Sequence, residues 1–586
     1  EMASLDLRDT LQHHQRLKNI RAQGIHSKPV GMRVILSVKY HPDGSIEKYK
    51  ARNVIQGHPG AMFKGVHYNE TFSASPKPET TRALMAAFVG KKMYRKCSDI
   101  ETAYLWGRSA EEYLIAVRYP EGLRRREKFE DTGKEEELYA VCSGNCYGKP
   151  DADRIYTQLR DSETLRLLNQ DGWTCRKSVA DPCLFIIRRK IEDSTPRNPD
   201  AMKNADNIHD THPPTFTQSY LCIYTDDCDI LGERQEDVDG IDAVLNARFK
   251  TKEGDARFML GILRELNEDG TELTMSQPEF IRTTYEEHCK HMATKSNPNT
   301  PTPPKMFLYL DPDGVDENES QKYKDMGYQS LVGSLLWAAY RCFPQCASGV
   351  HMFCRMMSSP TKDAWDGALH MLRYMYHRRH TGIRFRRDGN RIPVAYYDAS
   401  NKPEPIKGKR QFGFVIMWRG GPVLWAAKKH RLASTSAPMA EYMALGECGR
   451  AVRWFRRLLT EMGYHDEIAA PTKVLGDNDG ATQLSREDLV TPGNRHILDD
   501  YHLSKEMIAR WEIETHRIDT ADNISDLFTK SVTAAEMILE EFLTGHTEKD
   551  LPMQAAKFTN IKPGEKSSLA YRICDSTHIE TREQGV

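Results

Sequence analysis

Seven carboxylates stand where phosphoryl chemistry is possible: Asp99, Asp226 and Asp227, and later Asp398, Glu441, Asp477 and Asp526. Asp99 closes an apolar strand in Cys97-Ser98-Asp99-Ile100. Asp226 and Asp227 stand at the tip of a hydrophobic hairpin that runs Tyr224-Thr225-Asp226-Asp227-Cys228-Asp229-Ile230-Leu231-Gly232. Three carboxylates converging on strand ends make a hard-oxygen site for Mg²⁺, which binds through a few carboxylates plus substrate phosphates. Two metals held this way clamp the attacking and leaving oxygens of an in-line displacement at phosphorus. A hairpin tip is where acids are normally solvated, so each taken alone reads as a turn. The apolar flanks and the second strand ending in Asp raise the metal reading without displacing the turn.

The later carboxylates are more scattered. Asp398 lies on the alternating strand Val394-Ala395-Tyr396-Tyr397-Asp398, and Glu441 opens the helix-like run from Ala440 to Leu445. Asp477 follows the strand from Lys473 to Gly476, and Asp526 lies in Asn523-Ile524-Ser525-Asp526-Leu527-Phe528. Single acids are usually surface residues. What groups these four is their order: strand-Asp, helix-Glu, strand-Asp, late helix-Asp.

The elements around them are those of a long, mixed chain. Its 586 residues are a prior for about four structural units at roughly 150 residues each. Hydrophobic content of 39% and charged content of 28% describe a globular protein rather than a disordered one. No run approaches the roughly 18 apolar residues of a membrane span, and the most apolar stretch, Leu331 to Tyr340, stops at Arg341. The 13 cysteines lack metal-site spacing, and buried free thiols in a reducing compartment are expected. The chain begins with Glu1, which leaves open that it is a piece of a longer polyprotein.

Periodicity predicts a hairpin of Arg33–Tyr40 with Glu47–Gln56, a helix over Glu79–Val89 and a strand over Met93–Ile100. It also predicts a loop insertion at 191–218, a second hairpin of Phe258–Arg264 with Thr271–Met275, and a linker at 296–305. Helices are expected from Tyr323 to about His380, and a β/α unit from Ile392 to about Thr544. Net charge is only −1, so a nucleic-acid partner has to be argued from local charge. Residues 1–60 carry ten Lys/Arg against five acids, a net of +5. Residues 371–391 hold Arg373, Arg378, Arg379, Arg384, Arg386, Arg387 and Arg391 against Asp388, a net of +6, with Tyr374, Tyr376 and Phe385 interleaved. Arginines among aromatics suit phosphate contact and stacking, although a charge run is usually a solvated face.

Further residues carry a family resemblance. Tyr49-Lys50-Ala51-Arg52, Glu70-Thr71-Phe72, Arg82, Asp99 to Gly107, Tyr224 to Gly232, Phe258 to Ile262 and Leu331 to Leu336 resemble, in order, the reverse transcriptase motifs of copia-type LTR retrotransposons. The later carboxylates, with Ser434-Thr435-Ser436 before Ala440-Glu441-Tyr442 and with Asp526-Leu527-Phe528-Thr529-Lys530, resemble the ribonuclease H of the same Pol polyprotein. The resemblance implies a multidomain α+β and α/β chain. It would hold a right-hand polymerase of fingers, palm and start of thumb at 1–295 and a linker and helical connection at 296–390. An RNase H-like domain at 391–545 and a polar tail at 546–586 would follow.

The same resemblance assigns Asp99, Asp226 and Asp227 to one metal site, with Asp227 ligating less directly. It assigns Asp398, Glu441, Asp477 and Asp526 to another, each site holding two Mg²⁺ with Mn²⁺ as a substitute. Lys50 and Arg52 would hold the incoming triphosphate, and Tyr104 would exclude a ribose 2′-OH. The implied partners are an RNA template, a DNA primer, deoxynucleoside triphosphates and an RNA–DNA hybrid gripped by Arg373, Arg378, Arg379, Arg384, Arg386 and Arg387. No membrane is implied. The setting would be the cytoplasm, in a virus-like particle, or the nucleus. One segment departs: Tyr147-Gly148-Lys149-Pro150-Asp151-Ala152-Asp153-Arg154 stands for the family's Y-G-L-K-Q-A-P-R, and its Gln has no clean counterpart. A copy that binds nucleic acid without polymerising is the competing expectation.

Overall fold

The computed structural model of the chain describes residues 10–40, 46–108, 113–170, 172–190, 216–289, 297–306, 308, 314, 316–400, 409–431, 433, 436–486, 498–530 and 538–544. Most of the expected insertion, 191–215, and the tail at 546–586 lie outside these residues. The fold is mixed α/β and forms two compact units. One comprises residues 1–76, 94–178 and 182–255, and the other 77–93, 179–181 and 256–586.

The first unit holds two sheets. In one, Leu11–Arg16, Glu135–Cys142, Ile115–Arg118, Val30–Tyr40 and Ile46–Ile55 lie side by side in that order. The last two form the hairpin expected from the sequence, with Lys50 opposite Ser37 and Arg52 opposite Ile35. In the other sheet the order is Thr251–Glu253, Tyr94–Ile100, Asp227–Gly232, Phe216–Tyr224, Leu184–Lys190 and Trp173–Lys177, all antiparallel. Thr217 to Ile223 are buried without a break, as a strand covered on both faces must be. Tyr156 from the helix Ala152–Leu167 and Leu245 from the helix Gln235–Phe249 join Ile223 and Ile230 in its core.

The second unit contains a four-stranded sheet of Phe258–Met259, Ile262–Leu266, Glu272–Ser276 and Ile383–Arg386. The sequence predicts a single strand over Phe258–Arg264. Instead the chain reverses at Leu260 and Gly261, whose φ values of 53° and 74° are those a two-residue hairpin turn needs. Helices Glu317–Asp325, Tyr328–Ala339, Ala347–Arg355 and Lys362–His377 fill the expected helical stretch. The expected linker is packed rather than free: Thr300 and Thr302 are buried, and Thr300 bonds His370 at 2.9 Å. All twelve described cysteines are free thiols, and eleven of them are buried. Among the described residues no helix is long and apolar enough to cross a membrane.

A five-stranded sheet completes the second unit, in the order Gly421–Lys429, Gln411–Trp418, Val394–Ala399, Thr472–Gly476 and Ile513–Arg517. The first three strands are antiparallel, and the last two run parallel to the third. Helix Ala437–Glu461 packs on this sheet, begun by Ser436, whose hydroxyl accepts the Met439 N–H at 3.3 Å. Two glycines permit close approaches that larger residues would block. A Cβ at Gly476 would lie 2.3 Å from the Tyr397 ring, and one at Gly413 would lie 2.2 Å from the Phe528 side chain. Gly413→Ala should therefore cost about 1–3 kcal/mol through overpacking. Thermal melting should show a lower midpoint, whereas Gly122→Ala, which meets nothing within 4 Å, should leave it unchanged.

Candidate active sites

The later carboxylates converge. Asp398 and Asp477 stand at the carboxyl ends of two adjacent parallel strands, in which Tyr396 pairs with Leu475. Asp526 is carried by the short 3-10 helix Ile524–Phe528. That helix is pinned to the sheet at both ends: Asn523 donates to the Tyr397 carbonyl (3.1 Å) and Gln411 to the Phe528 carbonyl (2.8 Å). Asp398, Asp477 and Asp526 thereby offer oxygens that all lie within 4.8 Å of one another. Glu441, on helix Ala437–Glu461, accepts the Ala399 N–H at 3.1 Å. Its second oxygen is buried with no hydrogen-bond partner among the described residues.

Crowding and burial set the charges. Burial, then Asp398, pushes the Glu441 carboxyl up to about 9. Burial and Asp398 likewise lift Asp526 to about 7, against the pull of Lys530, whose ammonium donates to it at 2.6 Å. Asp398 is raised by burial and opposed by a hydrogen bond from the Thr529 hydroxyl. Asp477 is less enclosed and accepts from Thr520 at 2.9 Å. Asp398, Glu441 and Asp526 resist ionisation, and one oxygen each of Glu441 and Asp526 is buried with no hydrogen-bond partner among the described residues, a set that fits a divalent cation of the Mg²⁺ type by donor chemistry.

The first set is arranged differently. Asp99 and Asp227 face each other directly across the ladder, so these two share a face of the sheet, and Asp226 occupies the turn. On its other side Asp99 pairs with Lys252. The turn is strained: Thr225 has φ 54°, unusual for a β-branched residue, and its carbonyl is held by Arg160 at 3.0 Å. Arg160 is itself buried against Asp161. Thr102, at φ 53°, starts the 3-10 helix Ala103–Trp106 that carries Tyr104.

Tyr104 is half-buried between the rings of Tyr147 (5.4 Å) and Tyr156 (5.9 Å). Burial pushes its hydroxyl up to about 12, followed by the charges of Asp153, to which it hydrogen-bonds, and Asp226. Arg52 lies 5.7 Å from the Tyr147 ring, which links the hairpin cation to the same neighbourhood. Lys50 lies two residues before Arg52 on that strand and is half-exposed. The departing segment is folded in: Gly148 packs on the Ile55 carbonyl, and the buried Lys149 pairs with Asp151 at 3.3 Å.

The arginine run is largely engaged within the fold. Arg378 pairs with Glu540 (2.9 Å), Arg384 and Arg386 both pair with Glu272 (3.0 Å), and Arg391 pairs with Glu467 (3.4 Å). Arg387 donates to the carbonyls of Val89 and Gly270. Arg379 bonds the Tyr376 carbonyl and lies over that ring at 4.4 Å, and Arg373 is half-exposed on helix Lys362–His377.

The chain is 25% identical over 526 residues to the retrovirus-related Pol polyprotein from transposon TNT 1-94 of Nicotiana tabacum, across 88% of this chain and 36% of that one. To the Pol polyprotein from transposon RE2 of Arabidopsis thaliana it is 26% identical over 510 residues, across 86% and 31%. Over most of its length this chain is similar to copia-type retrovirus-related Pol polyproteins. It spans about a third of the length of the curated Pol relatives it matches. A solved foamy viral protease-reverse transcriptase in complex with dsDNA aligns over 88% of this chain and 81% of its own, at 12% identity and a TM-score of 0.37. No protein-family model matches.

Sequence reasoning did not single out Arg160, Asp153 or Tyr147 as neighbours of the first set, nor Thr529 and Lys530 as partners in the second. The last two lie within the family-like run Asp526-Leu527-Phe528-Thr529-Lys530, so position alone could have flagged them. The titration of the second set has a measurable consequence. The folded chain keeps protons on Glu441 and Asp526 that the unfolded chain releases near 4.5 and 3.8. Their contribution to stability is full below those values and is lost as pH rises through about 7 and then about 9. In EDTA, the urea midpoint should fall over that window. Mg²⁺ should restore it, and Glu441→Gln should flatten the decline.

Proposed function

We propose that the chain is an RNA-directed DNA polymerase joined to a ribonuclease H, extending a primer 3′-OH on an RNA or DNA template and degrading the copied RNA. The observation that carries this reading is the convergence of Asp398 and Asp477, at the ends of parallel strands, with Asp526 on its 3-10 helix, in the order that the ribonuclease H resemblance implies. The facing pair Asp99 and Asp227, with Asp226 in the turn between strands, supports the polymerase half. In this reading the first unit supplies fingers and palm, and the five-stranded sheet supplies the nuclease.

Each carboxylate set would hold two Mg²⁺, or Mn²⁺, which when bound supply the positive charge that stabilises an in-line displacement at phosphorus. Lys50 and Arg52 would grip the incoming deoxynucleoside triphosphate, the Arg as a planar fork and the Lys as a point charge. Tyr104 would close the space beneath the sugar, its hydroxyl held by Asp153, so that a ribose 2′-OH meets the ring. In the nuclease, Lys530 and Thr529 would keep Asp526 and Asp398 oriented before the cations enter. Glu441 would complete that set. Among the run of arginines, Arg379 and Arg373 would contact the hybrid backbone. Arg378, Arg384, Arg386 and Arg387 would chiefly position the strand and helix that carry them.

Primer extension on an RNA template with Mg²⁺ should proceed with the wild type and fall by at least about 100-fold in Asp226→Asn. Asp477→Asn should abolish hybrid cleavage and leave extension intact. No extension by the wild type would refute the polymerase half and favour a chain that binds nucleic acid without copying it. Charge reversal at Arg379 should weaken hybrid binding and reduce its salt slope by about one; an unchanged slope removes that residue from the contact.

A further inference from the structure

A cavity of about 400 Å³ opens in the second unit between the end of helix Pro78–Lys91, the turn Arg419-Gly420 and the residues that follow helix Ala437–Glu461. We propose that it binds a compact phosphorylated anion, of the size of pyrophosphate or the phosphate tail of a nucleotide. Its lining carries Lys91, Arg387, Arg391 and Arg419 against Asp466 and Glu467, four permanent cations to two carboxylates and so a net of +2. Cavities of a few hundred Å³ with a few convergent charged groups are typical of small-ligand sites.

Arg419 is the central residue. It sits in a two-residue hairpin turn at φ 55°, followed by Gly420 at φ 79°, where Asn or Gly is the usual occupant. Two glycines make room for it. A Cβ at Gly389 would lie 2.3 Å from the Arg419 backbone, and one at Gly90 would lie 3.0 Å from its guanidinium. The residue is only 4% exposed. Its guanidinium pairs with Glu467 and donates to the Arg387 carbonyl at 3.4 Å, yet its Nε is buried with no hydrogen-bond partner among the described residues. A long cation held in an uncommon backbone conformation with a donor unspent points to a missing acceptor.

The neighbouring charges are fixed rather than cancelled. Glu467 is shared among Arg419, Arg391 (3.4 Å) and the Trp418 indole (2.7 Å). Arg387 is held by the neutral carbonyls of Val89 (3.3 Å) and Gly270 (2.5 Å). Guanidinium forks match phosphate oxygens in pairs, which selects a phosphorylated ligand over a single carboxylate. The cavity is separate from the nuclease carboxylates. The Arg419 turn lies at the end of the sheet where Val394 pairs with Met417, four residues before Asp398, roughly 13 Å at about 3.3 Å per residue. A recess whose deepest cation is buried admits a small or terminal phosphate, whereas the phosphates along a duplex ride on a surface too broad to descend into it.

Isothermal titration of the full chain with inorganic pyrophosphate in EDTA tests the proposal. Saturable binding is expected, weakened at least about tenfold in Arg387→Ala and in the exposed Lys91→Ala. Arg387→Lys should recover part of the loss, and Asp226→Asn should bind as the wild type does. Thermal melts of each variant separate lost binding from lost folding. The proposal is overturned by an absence of binding, by equal binding in folded Arg387→Ala and Lys91→Ala, or by a site that takes an RNA–DNA hybrid and ignores pyrophosphate.

Discussion

Burial, and after it mutual repulsion, at Asp398, Glu441 and Asp526 beside Asp477 is the constraint around which the C-terminal sheet is organised. Carboxylates crowded into a buried corner oppose one another's ionisation, and only rigid support keeps them together. That support is identifiable. Parallel pairing sets Asp398 beside Asp477, Gly413 lets Phe528 and its 3-10 helix close on the sheet, and Gln411 and Asn523 tie that helix down. Lys530 and Thr529 relieve part of the repulsion, and the remainder is what a divalent cation would neutralise.

The earlier set meets the same problem by another route. Asp99 and Asp227 sit opposite each other near solvent, where like charges cost roughly 0.2–1 kcal/mol rather than the larger penalty of burial. Lys252 flanks the pair, and the strain is carried by the backbone, in the left-handed Thr225 and Thr102. Arg160 beneath the turn holds that strained conformation in place. Two carboxylate sites on one chain thus differ in where the cost falls: desolvation in one, turn geometry in the other.

Much of this was legible in the residues. The hairpin around Asp226, the pairing of Val30–Tyr40 with Ile46–Ile55, the helices between Tyr323 and His380 and the strand-helix-strand order of the later acids follow from hydrophobic periodicity, which burial enforces directly. Local propensity failed at Leu260-Gly261, because an apolar run does not reveal that two consecutive residues take positive φ. It also could not reveal how the arginines of 371–391 are used. Their partners Glu272, Glu467 and Glu540 are distant in sequence and meet them only after folding. Lys91 and Arg419 are likewise far apart in the chain, so the basic cavity has no sequence signature.

Anomalous diffraction at the manganese edge, from crystals of the full chain soaked in Mn²⁺, tests the central claim most directly. The account predicts a peak bounded by Asp398, Asp477 and Asp526 that disappears in Asp398→Asn while the fold is kept. A map with no peak at those carboxylates, in crystals where they remain together, would contradict it.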